Sequence, residues 1–309
     1  DDGLGATNSG KMWREFMQDF KSELEEKEPD YFLGCGIIQD ESGAIHLDPS
    51  KYIREMLAKY DMDKSVCSPL PMPAGTIVYM PDDEEKGDEQ RTNLFQQITG
   101  SILYCSLMRP ELQFYAAQLY KVMSRPTEEH MELARQVLMY LKGTLNNTLT
   151  FRPAGCDGFT ANDVSLLSFS DSDWACAVDT RRSHECHVVM FGGAAIAWRS
   201  KTQKSVMLST AAAEYYEGSE ACREIAFVRS ILEDFYETKL APTPLYIDNT
   251  AAISMGKLPQ FTERQKHIPI RICHLKECVA DGLIELRPIP TRHELADIGT
   301  KALAFPCFK

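Results

Sequence analysis

The chain has 309 residues, 44% of them apolar, and a formal net charge of −12 at pH 7. That length holds two or three domains with real cores, and charge interrupts every long apolar stretch, so no membrane span is expected. Ten cysteines lie singly, without a Cys-x-x-Cys pair, which excludes a small disulfide scaffold and suits reduced thiols in cytosol or nucleus.

The first residues, Asp1-Asp2-Gly3, resemble neither an initiator nor a signal peptide, so the chain reads as a piece of something longer or as a processed product. Trp13, Phe16, Met17, Phe20 and Leu24 keep helical spacing and predict an amphipathic helix over 11–27. Tyr31 to Ile38 reads as one strand, followed by a turn at Asp40–Gly43 and a short return strand through Ile45 and Leu47. Asp48-Pro49 signals a helix start, a capping carboxylate with Pro at the first helical position. The stretch from Cys67 to about Arg91 is rich in proline and acid and is expected to be loop. Residues 92–143 look all-helical, and their best-framed helix runs from Thr127 as N-cap to Gly143 as stop. Pro153-Ala154-Gly155 marks a domain boundary.

Beyond it, Leu166–Asp171, His187–Phe191 and Ala194–Trp198 read as three strands, the last two joined by Gly192-Gly193. A long helix over about 210–235 follows, then a strand over Leu245–Asp248 and a short helix from Thr250. A helix over 264–281, a strand over Leu283–Ile289 and a last helix over His293–Leu303 complete the pattern. This order defines a small α/β or α+β domain. His184-Glu185-Cys186-His187 crowds three zinc-type ligands into four residues with no second half, and reads as a turn into a strand rather than a structural zinc site.

Four acids in separate motifs carry the chemistry: Asp171, Glu214, Asp248 and Asp297. Asp171 and Asp248 close strands; if those strands are adjacent and parallel, both carboxylates emerge at one sheet edge. Glu214 in the first turns of the long helix and Asp297 in the last helix can reach the same edge. Such an all-oxygen cluster suits a pair of Mg²⁺ ions, with Mn²⁺ as a substitute, and metal-assisted cutting of a phosphodiester. Singly, each acid reads equally as a cap or a solvated helix residue, and Asp173, Asp179, Glu217 and Glu220 compete for the same roles. The global charge does not exclude a nucleic-acid partner: residues 1–154 carry 16 basic and 25 acidic side chains, whereas residues 155–309 carry 17 and 20.

The ordered set Ser170-Asp171-Ser172-Asp173-Trp174, Arg181-Arg182-Ser183, Gly192 to Lys201, Leu208 to Tyr215, Asp248-Asn249, Lys266-His267-Ile268 and Leu295 to Lys301 resembles the ribonuclease H domain of Ty1/copia retrotransposon polyproteins. The resemblance implies a ribonuclease H-like domain over 154–309, a five-stranded mixed sheet with flanking helices. It further implies Mg²⁺-dependent hydrolysis of the RNA strand of an RNA/DNA hybrid, with the acid quartet on Asp171, Glu214, Asp248 and Asp297. Upstream, Tyr31 to Gly34, Lys51 to Ile53, Gly100 to Tyr104, Arg109-Pro110 and Tyr140 to Thr144 are similar to the family's reverse transcriptase. By that likeness, residues 1–47 are a remnant of the palm, with Asp1 and Asp2 a truncated polymerase motif, and 48–153 a helical thumb or connection. Polymerisation by this chain alone is not expected. The implied partners are the hybrid and the rest of a Pol polyprotein (palm, fingers, integrase), in a cytoplasmic virus-like particle or the nucleus.

Arg199, Lys201 and Lys204, with Arg264, Lys266 and Arg271, are candidates for phosphate contacts, and Asn249 for a sugar 2′-hydroxyl. His293, four residues before Asp297, would share a helix face with it and is the candidate auxiliary in proton transfer or product release. Against the family pattern, His184-Glu185-Cys186-His187 replaces small residues, a Gly and an aromatic, and Gly299 stands where a bulky aromatic is common, which is expected to loosen packing beside Asp297. These departures keep open a second reading: a retrotransposon-derived module that binds nucleic acid or protein without cleaving.

Overall fold

The computed structural model describes residues 9–19, 30–81, 88–154, 165–257 and 270–308. Asp1, Asp2, Arg264, Lys266 and His267 lie outside the described residues.

After helix α1 (Gly10–Asp19), the segment read as one strand folds into two, β1 (Tyr31–Phe32) and β2 (Cys35–Gln39). Leu33 and Gly34 both take positive φ, 47° and 82°, which turns the chain back so that Phe32 pairs with Cys35. The Tyr104 hydroxyl donates to the Leu33 carbonyl at 2.8 Å and clamps this turn. Strand β3 (Ile45–Asp48) pairs with β2, and β4 (Leu149–Phe151) pairs with β3, giving a four-stranded antiparallel sheet in chain order. The helical stretch thus returns to the sheet of the N-terminal strands.

Helices α2 (Ser50–Lys59), α3 (Glu89–Cys105), α4 (Gln113–Lys121) and α5 (Glu128–Gly143) share one core built on Phe95, Ile102, Leu119, Leu138 and Leu141. Pro49 is the N-cap of α2 rather than its first residue, and Asp48 accepts the Ser50 N–H at 2.8 Å. Helix α3 reaches into the stretch expected to be loop, because Asp88 caps it by accepting the N–H groups of Gln90 and Arg91. Thr127 caps α5, with the His130 ring answering the Thr127 N–H.

The second body is a five-stranded sheet of order β7-β6-β5-β8-β9, formed by β5 (Leu167–Asp173), β6 (His184–Phe191), β7 (Ala194–Thr202), β8 (Thr243–Ile247) and β9 (Ile284–Pro288). β5, β6 and β7 are antiparallel neighbours, whereas β8 is parallel to both β5 and β9. Helices α6 (Thr210–Tyr236), α7 (Thr250–Lys257) and α8 (Ile270–Ala280) flank it, burying Tyr215, Ile225, Leu245, Ile247, Leu275 and Leu286. This is the mixed sheet with flanking helices expected of the C-terminal half. Helix α9 (Phe305–Phe308) ends the described chain. Among the described residues no helix is long and apolar enough to cross a membrane.

The two bodies are hydrogen-bonded through β7. The Trp198 indole donates to the Ser106 carbonyl at 3.0 Å, and Ser200 N–H donates to the Gln113 side chain at 3.0 Å. Ala302 reaches across to pack in the helical core.

The helix expected over His293–Leu303 is absent. Two short 3₁₀ turns, Thr291–His293 and Leu295–Gly299, stand in its place. Glu294 is extended between them, and its side chain accepts the Ala296 N–H at 3.0 Å. That local bond caps a new turn where a continuous helix would use the backbone.

Candidate metal centre

β5 runs on to Asp173, so Asp171 lies within the strand rather than at its end. The parallel ladder with β8 pairs Ser168 with Leu245 and Phe169 with Tyr246, then stops. The same offset brings Asp171 level with Asp248, just after β8, where the two strands part. The stacked rings of Phe169 and Tyr246, 5.2 Å apart, underlie that opening. Ser209 caps α6 by accepting the Ala212 N–H, so the helix starts beside the sheet and presents Glu214 in its second turn. One ligand oxygen from each of Asp171, Glu214 and Asp248 lies within 4.8 Å of the others.

Asp297 adjoins this trio on the Asp171 side, held by Lys301 at 2.7 Å. The Thr300 hydroxyl donates to Asp171 Oδ2 at 2.5 Å, and the Thr291 hydroxyl to Asp248 Oδ2 at 2.9 Å. Asp171, Glu214 and Asp297 are 5%, 4% and 8% exposed. Burial, then the charge of Asp297, raises the Asp171 carboxyl to about 6, against the opposing pull of Thr300 and Lys301. Burial and the charges of Asp171 and Asp248 push Glu214 up to about 10. Its Oε2 is buried without a hydrogen-bond partner. Crowded, desolvated carboxylates of this kind are costly without a cation, and an all-oxygen donor set fits a hard divalent ion.

The competing acids fall elsewhere, apart from Asp173, which feels Lys301 and Asp171 at the end of β5. Asp179 pairs with Lys121 at 3.2 Å, and Glu217 contacts His187 Nδ1 at 2.5 Å on the other face of β6. Glu220 is ringed by Arg199, Lys201, Arg223 and Arg271. His184, Glu185, Cys186 and His187 all belong to β6, as alternate faces of a strand; the strand starts at His184 because that ring finds Ser200 Oγ at 2.8 Å and packs edge-on against Phe114.

Among the candidates for substrate contact, Arg199 and Lys201 already hold Glu220, and Lys201 also pairs with Glu185 at 3.1 Å. Lys204 is exposed beyond β7. Asn249 half-faces solvent beside Asp248, with its side-chain carbonyl accepting the Ala252 N–H at 3.0 Å to cap α7. His293 is exposed and bonded to Arg292; the break at Glu294 removes the shared helix face with Asp297 on which its pairing rested. The loosened packing expected at Gly299 is also absent, since Cys186 fills that space. Sequence reasoning missed Glu294, 5% exposed and acted on by the charges of Asp171, Asp248 and Asp297. An acid two residues before Ala296 carries an N-cap signal that would have placed it.

A mixed five-stranded sheet of this order, flanked by helices, gives the second body a ribonuclease H-like fold. No family model matches the chain. It is 30% identical over 296 residues to the retrovirus-related Pol polyprotein from transposon RE1 of Arabidopsis thaliana, covering 93% of this chain and 19% of that protein. The corresponding polyprotein from transposon TNT 1-94 of Nicotiana tabacum is 29% identical over 315 residues, 98% of this chain and 22% of that protein. The chain thus spans about a fifth of the length of the curated relatives it matches. Among solved structures it is similar to the N-terminal RNase H domain of a Mycobacterium tuberculosis protein, with a TM-score of 0.33 and 10% identity over 44% of this chain and 91% of that one. Its homologues at about 30% identity over 93–98% of the chain are Ty1/copia-type retrotransposon Pol polyproteins.

Proposed function

We propose that this chain is the ribonuclease H of a retrotransposon polyprotein and hydrolyses the RNA strand of an RNA/DNA hybrid. The observation that carries this reading is the convergence of Asp171, Glu214 and Asp248, far apart in sequence, to within 4.8 Å where β5 and β8 separate. These three, with Asp297 beside them, are the residues that would hold two Mg²⁺ ions, or Mn²⁺ in their place. Bound divalent ions supply Lewis-acid activation of water and of the leaving 3′ oxygen. The chain's own groups prepare the site: Thr300 fixes one oxygen of Asp171, Lys301 holds Asp297, and Thr291 orients Asp248.

Cleavage indifferent to sequence needs backbone contacts. Arg199, Lys201, Arg223 and Arg271 meet on Glu220, and Lys201 also meets Glu185, so four cations face two carboxylates and keep a local positive surplus on an acidic chain. That surplus supports phosphate binding by Arg199, Lys201 and Arg271. Asn249, next to Asp248, uses its side-chain oxygen to cap α7 and would read a 2′-hydroxyl through its amide NH₂.

A cleavage assay on labelled RNA/DNA hybrid tests the reading. Asp171→Asn and Asp248→Asn are expected to lower the rate by roughly a thousandfold or more, as loss of a transition-state contact does, while hybrid binding persists. Undiminished cutting by both variants would overturn it.

A further inference from the structure

The trio and Asp297 leave one buried carboxylate unexplained. At Glu294 the backbone is extended (φ −72°, ψ 103°) between the two 3₁₀ turns. His293 and Leu295 on either side are exposed, and Glu294 alone turns inward. Its Oε1 accepts the Ala296 N–H at 3.0 Å, which accounts for one oxygen as a cap. Oε2 is buried and has no hydrogen-bond partner, and among the described residues no Lys or Arg pairs with this side chain. The segment that carries it is tied to the trio on both sides, by Thr291 donating to Asp248 Oδ2 at 2.9 Å and Thr300 donating to Asp171 Oδ2 at 2.5 Å, and the charges of Asp171, Asp248 and Asp297 act on it. A cap needs one acceptor and is ordinarily served by a solvated side chain, so capping does not account for an orphaned oxygen buried among like charges.

We infer that Glu294 is a fifth carboxylate of the cation site, offering Oε2 to a divalent ion while Oε1 keeps the turn in place. The inference rests on the metal-centre reading of Asp171, Glu214 and Asp248. Its chemistry follows from that setting. A hard cation takes carboxylate oxygens, and one more acid raises its affinity while adding repulsion to the metal-free protein. The same residue therefore strengthens binding and weakens the empty fold.

Glu294→Gln separates the two effects, since the amide oxygen still accepts the Ala296 N–H. Calorimetric titration of the whole chain with Mn²⁺, and thermal melts in chelator and in saturating Mn²⁺, give readouts independent of cleavage. The variant is expected to bind Mn²⁺ roughly 10–100-fold more weakly, to melt higher than the parent in chelator, and to gain less from the ion. Unchanged affinity with an unchanged metal-induced shift would overturn the role of Glu294. Asp171→Asn is the control. If it loses Mn²⁺ binding while Glu294→Gln does not, the centre stands and only Glu294 is excluded; if neither variant changes binding, the centre itself is wrong. Should Glu294→Gln fold poorly, Glu294→Asp keeps the charge but shortens the reach, and the inference requires it to weaken Mn²⁺ binding as well.

Discussion

The side chain of Cys186 occupies the space that any side chain at Gly299 would need: a Cβ built on Gly299 would lie 2.2 Å from Cys186 Sγ and 2.9 Å from its Cβ. The pattern resembled by this chain has small residues, a Gly and an aromatic over 184–187 and a bulky aromatic at 299, so a Cys186 side chain filling the space beside Gly299 amounts to an exchange of volume across β6 and the Asp297 turn. The exchange also keeps Ser200 Oγ donating to the Gly299 carbonyl at 2.6 Å, immediately before Thr300.

Gly299→Phe alone is expected to destabilise the fold by about 1–3 kcal/mol, the usual cost of overpacking. Cys186→Gly alone should also destabilise, by opening a cavity. Together they should recover most of the loss. Denaturant melts of the four proteins give the coupling directly, and additive losses would refute the exchange.

Thr300→Val removes the hydroxyl on Asp171 Oδ2 while keeping the shape of the side chain. Cleavage should fall roughly 10–100-fold, as for other groups that orient a metal ligand, with the Michaelis constant for hybrid little changed. A loss confined to that constant would show that Thr300 serves the substrate instead.

Stability should depend on pH in a way that metal alters. Folding raises Glu214 to about 10, Glu294 to about 9 and both Glu185 and Glu217 to about 8, in each case mainly by burial. Unfolded carboxyls ionise near pH 4.5, so the native state holds more protons above that point, and stability declines as pH rises toward 8–10. His184 and His187 act in the opposite sense: burial lowers them to about 3 and about 4, so stability falls as pH drops below about 6.5 through those values. Melts in chelator should therefore lose stability on the alkaline side. Divalent metal should flatten the part of that decline owed to Glu214 and Glu294, leaving the part owed to Glu185 and Glu217. Identical alkaline limbs with and without metal would contradict this.

Arg271 lies over the Tyr216 ring at 4.1 Å and contacts Glu220. Arg271→Ala should weaken hybrid binding and reduce the salt dependence of affinity by about one unit of slope, with cleavage at saturating hybrid retained. Salt-titrated binding measurements test this; an unchanged slope would remove Arg271 from the phosphate surface.

Local pattern alone made much of the architecture legible. Thr127 to Gly143 has an N-cap, an apolar stripe and a terminal glycine, and helix α5 occupies that span. The Gly192-Gly193 turn, with both φ positive, joins the strands on either side as expected. Expectations failed where a single side chain redirected the backbone. Leu33-Gly34 turned one strand into a hairpin, and the Glu294 carboxylate split the last helix. The first depends on a contact from a distant element, the Tyr104 hydroxyl, whereas the second rests on a local cap, the Glu294 carboxylate accepting the Ala296 N–H.

By itself, then, the sequence determined the elements and the order of the acid motifs, because capping, periodicity and turn residues act between near neighbours. Only the tertiary structure decided which acids meet. Asp171 and Asp248 come level through the parallel register of β5 with β8, while Glu217 and Glu220, on the same helix as Glu214, are turned to His187 and to the arginines. A carboxylate's partners are set by the face and level at which its strand or helix packs, and that is a property of the assembled sheet.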